Sequence, residues 1–183
     1  MLWPSFKYVY RMNSPLDNEL ALLTFQEEQL QFDSFSLDTA WQLGTRLKEA
    51  IEARGKAAAI DIQLTGHPLF FYAMPGTTPD NIDWIRRKRN VVQRFHRSSY
   101  AMRLELRKKQ TNLLDQSGLV LRDYATAGGG FPILLRGTGC IGTIAVSGLP
   151  MRDDHNVIVE VLATWLNRPI SELALGPAED MDN

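Results

Sequence analysis

AGGGFPILLRGTGCIGTIAVSGLP, from Ala127 to Pro150, holds two apolar runs on either side of a glycine turn. Phe131 to Leu135 and Ile141 to Val146 read as strands, joined through Arg136-Gly137-Thr138-Gly139, where glycine removes the steric cost of positive φ. Phe131, Ile133 and Leu135 share one face, with Leu134 on the other. Ile144 and Val146 face one way, and Ile141, Thr143, Ala145 and Ser147 the other. Neither strand has a fully polar face, so the pair is expected to be covered on both sides or to sit at a subunit contact. Pro132 cannot donate to a ladder and belongs at a strand start or edge. The glycines at 128–130, 137, 139, 142 and 148 fit either tight sheet geometry or a ligand cradle.

Downstream, Asp153 and Asp154 mark a helix start, and Val157, Ile158, Val161, Leu162 and Trp165 form its buried stripe, with His155 at the rim. Ser171 and Glu172 begin a last helical turn, and the acidic tail at 177–183 is expected to be flexible.

Upstream, Pro79 opens a helix expected to run to about Tyr100. Trp84, Ile85, Val91, Val92 and Phe95 form its apolar stripe, while Arg86, Asn90, Gln93 and Arg97 lie opposite. Lys88 falls inside the stripe, and Ser98 and Ser99 continue its face. Two readings stand for such a lysine: its stem packs while the ammonium reaches outward, or the ammonium enters a pocket and meets an anion or carboxylate. The next helix, Ala101 to Asp115, reads as charged and largely exposed, with Leu104, Leu106, Leu113 and Leu114 offering some burial. Ala57 to Leu64 and Leu69 to Met74 form a second hairpin around Thr65-Gly66-His67-Pro68. Ahead of it come a helix from Ser36 to Arg54, a short strand within 29–35 and a helix starting at Pro15. Residues 1–13 read as an aromatic, basic arm. The expected order is α, β, α, β, β, α, α, β, β, α.

A chain of 183 residues with 44% hydrophobic and 22% charged residues fits one globular domain. A net charge of −1 argues against nucleic acid or an anionic membrane as a general partner. The run Arg86-Arg87-Lys88-Arg89 does not alter that, because helical spacing splits it around the cylinder. A single cysteine, no secretion signal and no apolar run near the ~20 residues that span a bilayer make a cytoplasmic location the expectation.

No phosphate loop, GxSxG elbow or HExxH helix is present. Gly128-Gly129-Gly130 precedes a strand rather than a helix, unlike a dinucleotide turn. Cys140, inside an apolar hairpin, reads as a small buried side chain. His67, His96 and His155 are widely spaced and show no metal-ligand pattern. Each is a weak metal or haem-iron candidate against a plain role as turn residue, helix flank and core rim.

GGGFPILLRGTGCIGTIAVSGLP, followed by DDH and an apolar helix, resembles the GlcG-like, haem-degrading-domain (DUF336) superfamily. TGHPLFFYAMPGTTPDNIDWIRRKRNVVQRFHRSSY is similar to its UPF0303 branch. The resemblance implies an α/β sandwich of profilin-like type, with helices packed on an antiparallel sheet, and symmetric homo-oligomers, dimers or rings of dimers. Some relatives bind haem or iron, and a fungal cytosolic relative is linked to chaperone traffic for tail-anchored membrane proteins. It also implies a site where Gly129, Gly130 and Phe131, the strand end Ser147-Gly148 and the helix carrying Lys88, Ser98 and Ser99 meet. There Lys88 supplies positive charge, a serine a hydroxyl, and glycine N–H groups an anion nest. Three functions compete: an oligomeric binder of haem or an anionic metabolite, a non-catalytic scaffold with a protein partner, and an oxidative enzyme. No nucleophile–base pair or metal cluster favours the third.

Overall fold

The computed structural model describes residues 14–176, so the N-terminal arm and the acidic tail lie outside the described residues. In chain order the elements are α1 (Pro15–Gln29), β1 (Gln31–Phe32), α2 (Leu37–Glu52), β2 (Ala59–Leu64), β3 (His67–Ala73), α3 (Pro79–Phe95), α4 (Ser99–Lys108), α5 (Leu113–Ser117), β4 (Gly130–Leu135), β5 (Gly139–Ser147), α6 (Met151–Trp165) and α7 (Ile170–Leu173). The fold is mixed α/β, with one five-stranded sheet in the order β1-β4-β5-β2-β3. Pairing is antiparallel throughout except for β1, which lies parallel to β4.

The glycine hairpin forms as expected, with Gly137 and Gly139 at φ 73 and 98. The second hairpin is tighter than the sequence suggests. Thr65 and Gly66 alone make the turn, at φ 36 and 81, and His67 and Pro68 already belong to β3. Two residues at positive φ match the right-handed strand twist. Proline is tolerated there because β3 is the sheet edge.

Both sheet faces are covered, but unequally. Ile60, Ile62, Phe131, Ile133, Ile144 and Val146 pack against Leu43, Leu47 and Ile51 of α2 and Val157, Ile158 and Leu162 of α6 in the main core. Gly44 lets α2 settle on the Phe70 ring, which a Cβ there would meet at 2.4 Å. On the opposite face Ala59 and Ala145 are small enough for Ile85 of α3 to reach the sheet. That helix packs on β4, β5 and β2, which leaves the outer strand β3 unroofed on its side.

The α3 helix stops short of Tyr100. His96 turns left-handed at φ 55, its N–H still donating to the Val92 carbonyl at 2.8 Å. Arg97 then reaches Glu27 and Glu105, and the Ser98 hydroxyl accepts from the Ala101 N–H at 3.2 Å to start α4. The expected single helix from Ala101 to Asp115 divides into α4 and α5. Leu104, Leu106 and Leu113 are buried as expected and Leu114 is exposed. Tyr100, Ala101 and Met102 are buried as well, so α4 is covered by α1 on one side and by Leu113 of α5 on the other.

Candidate functional site

The four consecutive cations of α3 part company at once. Arg86 bonds Asp83 at 2.9 Å and Asp123 at 3.2 Å. Arg87 lies over the Trp84 ring, 4.0 Å from its centroid. Lys88 turns into the protein, and Arg89 bonds Asp61 at 2.9 Å. The run presents no common face.

Lys88 is 2% exposed, and its ammonium donates to Asp154 Oδ2 at 2.8 Å and to the Val146 carbonyl at 2.9 Å. Of the two readings of this lysine, the structure selects the one in which the ammonium meets a carboxylate. Asp154 Oδ1 also accepts from the Leu149 N–H at 3.0 Å, and the Gly148 backbone adds a further bond. The glycine nest therefore holds an anion, and that anion is the protein's own side chain. Burial pushes the Lys88 ammonium below the usual lysine range, with Asp154 partly opposing it. Burial likewise pushes Asp154 above the usual carboxyl range, with Lys88 partly opposing it. Gly129, at φ 105, closes the cluster: a Cβ there would lie 2.4 Å from the Val146 carbonyl oxygen and 2.9 Å from Lys88 Nζ.

Lys88, Gly129 and Gly148 thus meet around Asp154, and Ser99 and Gly130 adjoin that cluster through the backbone of Lys88. Ser99 Oγ donates to the Ala127 carbonyl at 2.6 Å and accepts from the Gly130 N–H at 2.9 Å. The other three candidates point elsewhere. Ser98 caps α4, and its N–H donates to Glu27 Oε1 at 2.8 Å. Phe131 is in the main core. Ser147, at the end of β5, offers its carbonyl to Asn81 at 3.4 Å.

The histidines differ sharply. His155 is fully buried, not at a rim. Its Nε2–H donates to Gln26 Oε1 at 2.7 Å, because the Gln26 amide N–H is committed to the Leu173 carbonyl at 2.6 Å. Its Nδ1 has no partner, and burial lowers its pKa to about 3. His67 stands exposed at the start of edge strand β3. His96 is exposed and lines a cleft of about 410 Å³ together with Thr65, Gly66, Gln93, Cys140, Ile141 and Gly142. Among the described residues, no group of three or more His, Cys, Asp or Glu side chains could hold a metal ion.

A larger cleft of about 570 Å³ opens where α3 leaves β3 uncovered. Asp61 and Gln63 of β2 form its polar floor, Gln63 donating to Asp61 Oδ1 at 3.1 Å. Arg86 and Arg89 flank it, and Pro68, Phe71, Ile82 and Ile85 supply an apolar wall. Ile82, Arg86, Arg89, Gln93 and His96 recur at three- and four-residue spacing, so one side of α3 lines both clefts. Concave, mainly apolar walls with a few convergent polar groups are what small-molecule sites require.

A lysine in an apolar stripe does not point to this cleft. A signal existed in AIDIQL, where Asp61 and Gln63 alternate with Ile60 and Ile62 in a strand covered on both faces. A polar pair on a covered strand face demands partners, but the sequence does not say that those partners border an opening.

Residues 35–163 match the family model described as haem degrading protein HbpS-like. A UPF0303 protein of Azotobacter vinelandii is 59% identical over 160 residues, covering 87% of this chain and 96% of that protein. Among solved structures, the Ybr137w protein superposes with a TM-score of 0.75 at 30% identity, covering 81% of this chain and 87% of that one. A PduOC:heme complex superposes with a TM-score of 0.61 at 17% identity, covering 71% and 94%, which is likeness of fold alone.

Proposed function

The chain belongs to the HbpS-like family and its UPF0303 branch, and from that premise we propose that it is a binding protein for a flat, carboxylate-bearing ligand of haem type, held along the outer side of α3. The observation that carries this reading is the 570 Å³ cleft in which two guanidinium groups, paired at rest with Asp83 and Asp61 of the same lining, flank an apolar wall. His96 is the histidine suited to ligate iron: it is exposed and lines a cleft, whereas the Nε2 of His155 is already bonded inside the core. Seven residues separate His96 from Arg89, about 10 Å along a helix at 1.5 Å per residue. That span suits a macrocycle ligated at one end with its carboxylates at the other. The donor set therefore fits haem: His96 at iron with Cys140 beside it, Arg86 and Arg89 at the propionates, Phe71 and Ile82 against the ring. Bound haem would supply iron's redox and oxygen chemistry, while the residues named here would bind and orient it.

Support for a haem binder also comes from the family's haem-degrading description and from the haem held by the PduOC protein in its complex. Titration of the purified protein with hemin tests the reading. A saturable Soret shift at one equivalent per chain is expected, with the ligation band lost in His96→Ala and affinity lowered about tenfold in Arg86→Ala. Absence of saturation, or an unchanged spectrum in His96→Ala, overturns it. Arginine dependence without histidine dependence would mark a carboxylate ligand that carries no iron.

A further inference from the structure

Resting on the reading of the α3 cleft as a carboxylate site, we propose that Asp61 and Gln63 set Arg89 as a clamp for a singly charged carboxylate, and that this clamp rejects a phosphate dianion carried on the same flat body.

Period-two alternation puts Asp61 and Gln63 on one face of the inner strand β2, beneath α3. They are only 2% and 8% exposed. Each Asp61 oxygen has its own donor. Gln63 Nε2 donates to Oδ1 at 3.1 Å, and Arg89 Nη1 donates to Oδ2 at 2.9 Å. Gln63 thus keeps Asp61 from closing on the guanidinium with both oxygens. Arg89 engages only Nη1, and among the described residues its Nε and Nη2 have no partner. Those nitrogens carry the parallel N–H groups along one edge of the guanidinium plane, the fork that a carboxylate takes with both oxygens. The Arg89 side chain is partly exposed and lines the cleft. Phe71 stands directly opposite Asp61 in the pairing of β2 with β3, so an apolar wall borders the fork. A flat body ending in a carboxylate meets both.

Charge decides which anion enters. Asp61 lies immediately behind the Arg89 guanidinium and is almost closed to water, so salt screens it weakly. Arg86 is likewise matched, by Asp83 and Asp123. The lining therefore holds no surplus positive charge for a second negative charge on the same ligand group. A carboxylate brings one negative charge, and its paired bonds to the fork offset the repulsion from Asp61. A phosphate monoester carries about −1.5 to −2 at neutral pH, which nearly doubles that repulsion while the fork supplies the same bonds. An arginine without Asp61 behind it would favour the dianion instead. Asp61 is a positioning residue: it orients the fork and selects the anion through Arg89, without contact to the ligand.

Fluorescence titration with a pair of iron-free probes, pyrenebutyrate and the phosphate monoester of pyrenebutanol, tests the clamp. Wild type is expected to bind the carboxylate about tenfold more tightly than the phosphate, since like charges oppose the dianion. In Asp61→Asn that preference should vanish or reverse, because the repelling charge is gone. A merely destabilised fold would weaken both probes alike and leave their ratio unmoved. Arg89→Lys keeps the charge and loses the fork, so it should weaken carboxylate binding about tenfold. Equal binding of both probes by wild type, an unchanged ratio in Asp61→Asn, or full carboxylate affinity in Arg89→Lys each overturns the inference. So does a wild type that binds neither probe. Hemin separates this clamp from the haem reading. A selective pyrene site in a protein that hemin does not saturate leaves the clamp standing without haem. A His96-dependent Soret band beside an unchanged probe ratio in Asp61→Asn leaves haem binding and removes the clamp.

Discussion

Lys88 and Arg89 are neighbours in sequence, yet they serve two regions built on different terms. Lys88 passes under Gly129 into a closed cluster where Asp154 and the Val146 carbonyl take its protons in hydrogen bonds. Arg89 leans over the rim of an open cleft, pairing with Asp61 while its side chain stays partly exposed. In the first region ionic groups are matched from within and water is excluded. In the second they are balanced in pairs but remain within reach of solvent. A charge inside an apolar stripe therefore marks a joint of the fold here, and the neighbouring charge outside the stripe marks the opening.

Breaking one partner in each region therefore has unequal consequences. Asp154→Asn should lower unfolding free energy by about 3–5 kcal/mol, because it strands a buried ammonium. Replacing Lys88 by Met and Asp154 by Leu together should recover much of that loss, since both charges go at once. Urea unfolding of the singles and the double measures this cycle. A double variant no more stable than the singles would contradict the joint.

The buried histidine gives the next largest effect. The folded-state pKa of His155 is depressed from 6.5 to about 3, so the unfolded chain binds the extra proton between those values. Its contribution is whole above pH 6.5 and is lost as pH falls toward 3, at about 1.4 kcal/mol per unit for one proton. Asp154 and Glu27, both raised by burial, titrate in the opposite sense, so the comparison must be with His155→Gln. Urea midpoints between about pH 7.5 and pH 5 should fall more steeply in wild type than in that variant. Parallel slopes would place the histidine proton elsewhere.

At the cleft, the expected stability changes are smaller. Arg86→Ala removes the ion pairs to Asp83 and Asp123 and the bond to the Arg122 carbonyl, all partly exposed to solvent, which should cost little stability while weakening ligand capture. The smallest effect belongs to His96. It holds a left-handed φ of 55, a conformation glycine adopts freely. His96→Gly should therefore stabilise the fold by about 0.5–1 kcal/mol and abolish iron ligation. A variant that loses stability would make the histidine a structural cap rather than a retained ligand.

Much of the architecture was legible beforehand because it rests on near-neighbour chemistry. The glycine hairpin followed from alternation and from glycines where φ is positive, and α2 and α6 from stripes at helical spacing. The stop of α3 at His96 was not legible, because no glycine or proline marks it. It depends on Glu27, some seventy positions earlier, receiving the Ser98 N–H and the Arg97 guanidinium. The exposed reading of α4 failed for a related reason: two separate layers, α1 and α5, bury different sides of one short helix. At the site, Lys88, Ser99 and the glycines were recognisable as a group. What occupies their nest was not.

The amino-acid sequence by itself determined the family, the mixed α/β class, the two hairpins and the placement of a lysine among apolar residues. Tertiary structure alone decided that Asp154, sixty-six residues away, would neutralise that lysine, and that α3 would roof three strands and leave β3 bare. Periodicity and turn chemistry act over a few residues and can be read locally. The partner of a buried charge and the edge of a sheet are set by how distant segments pack.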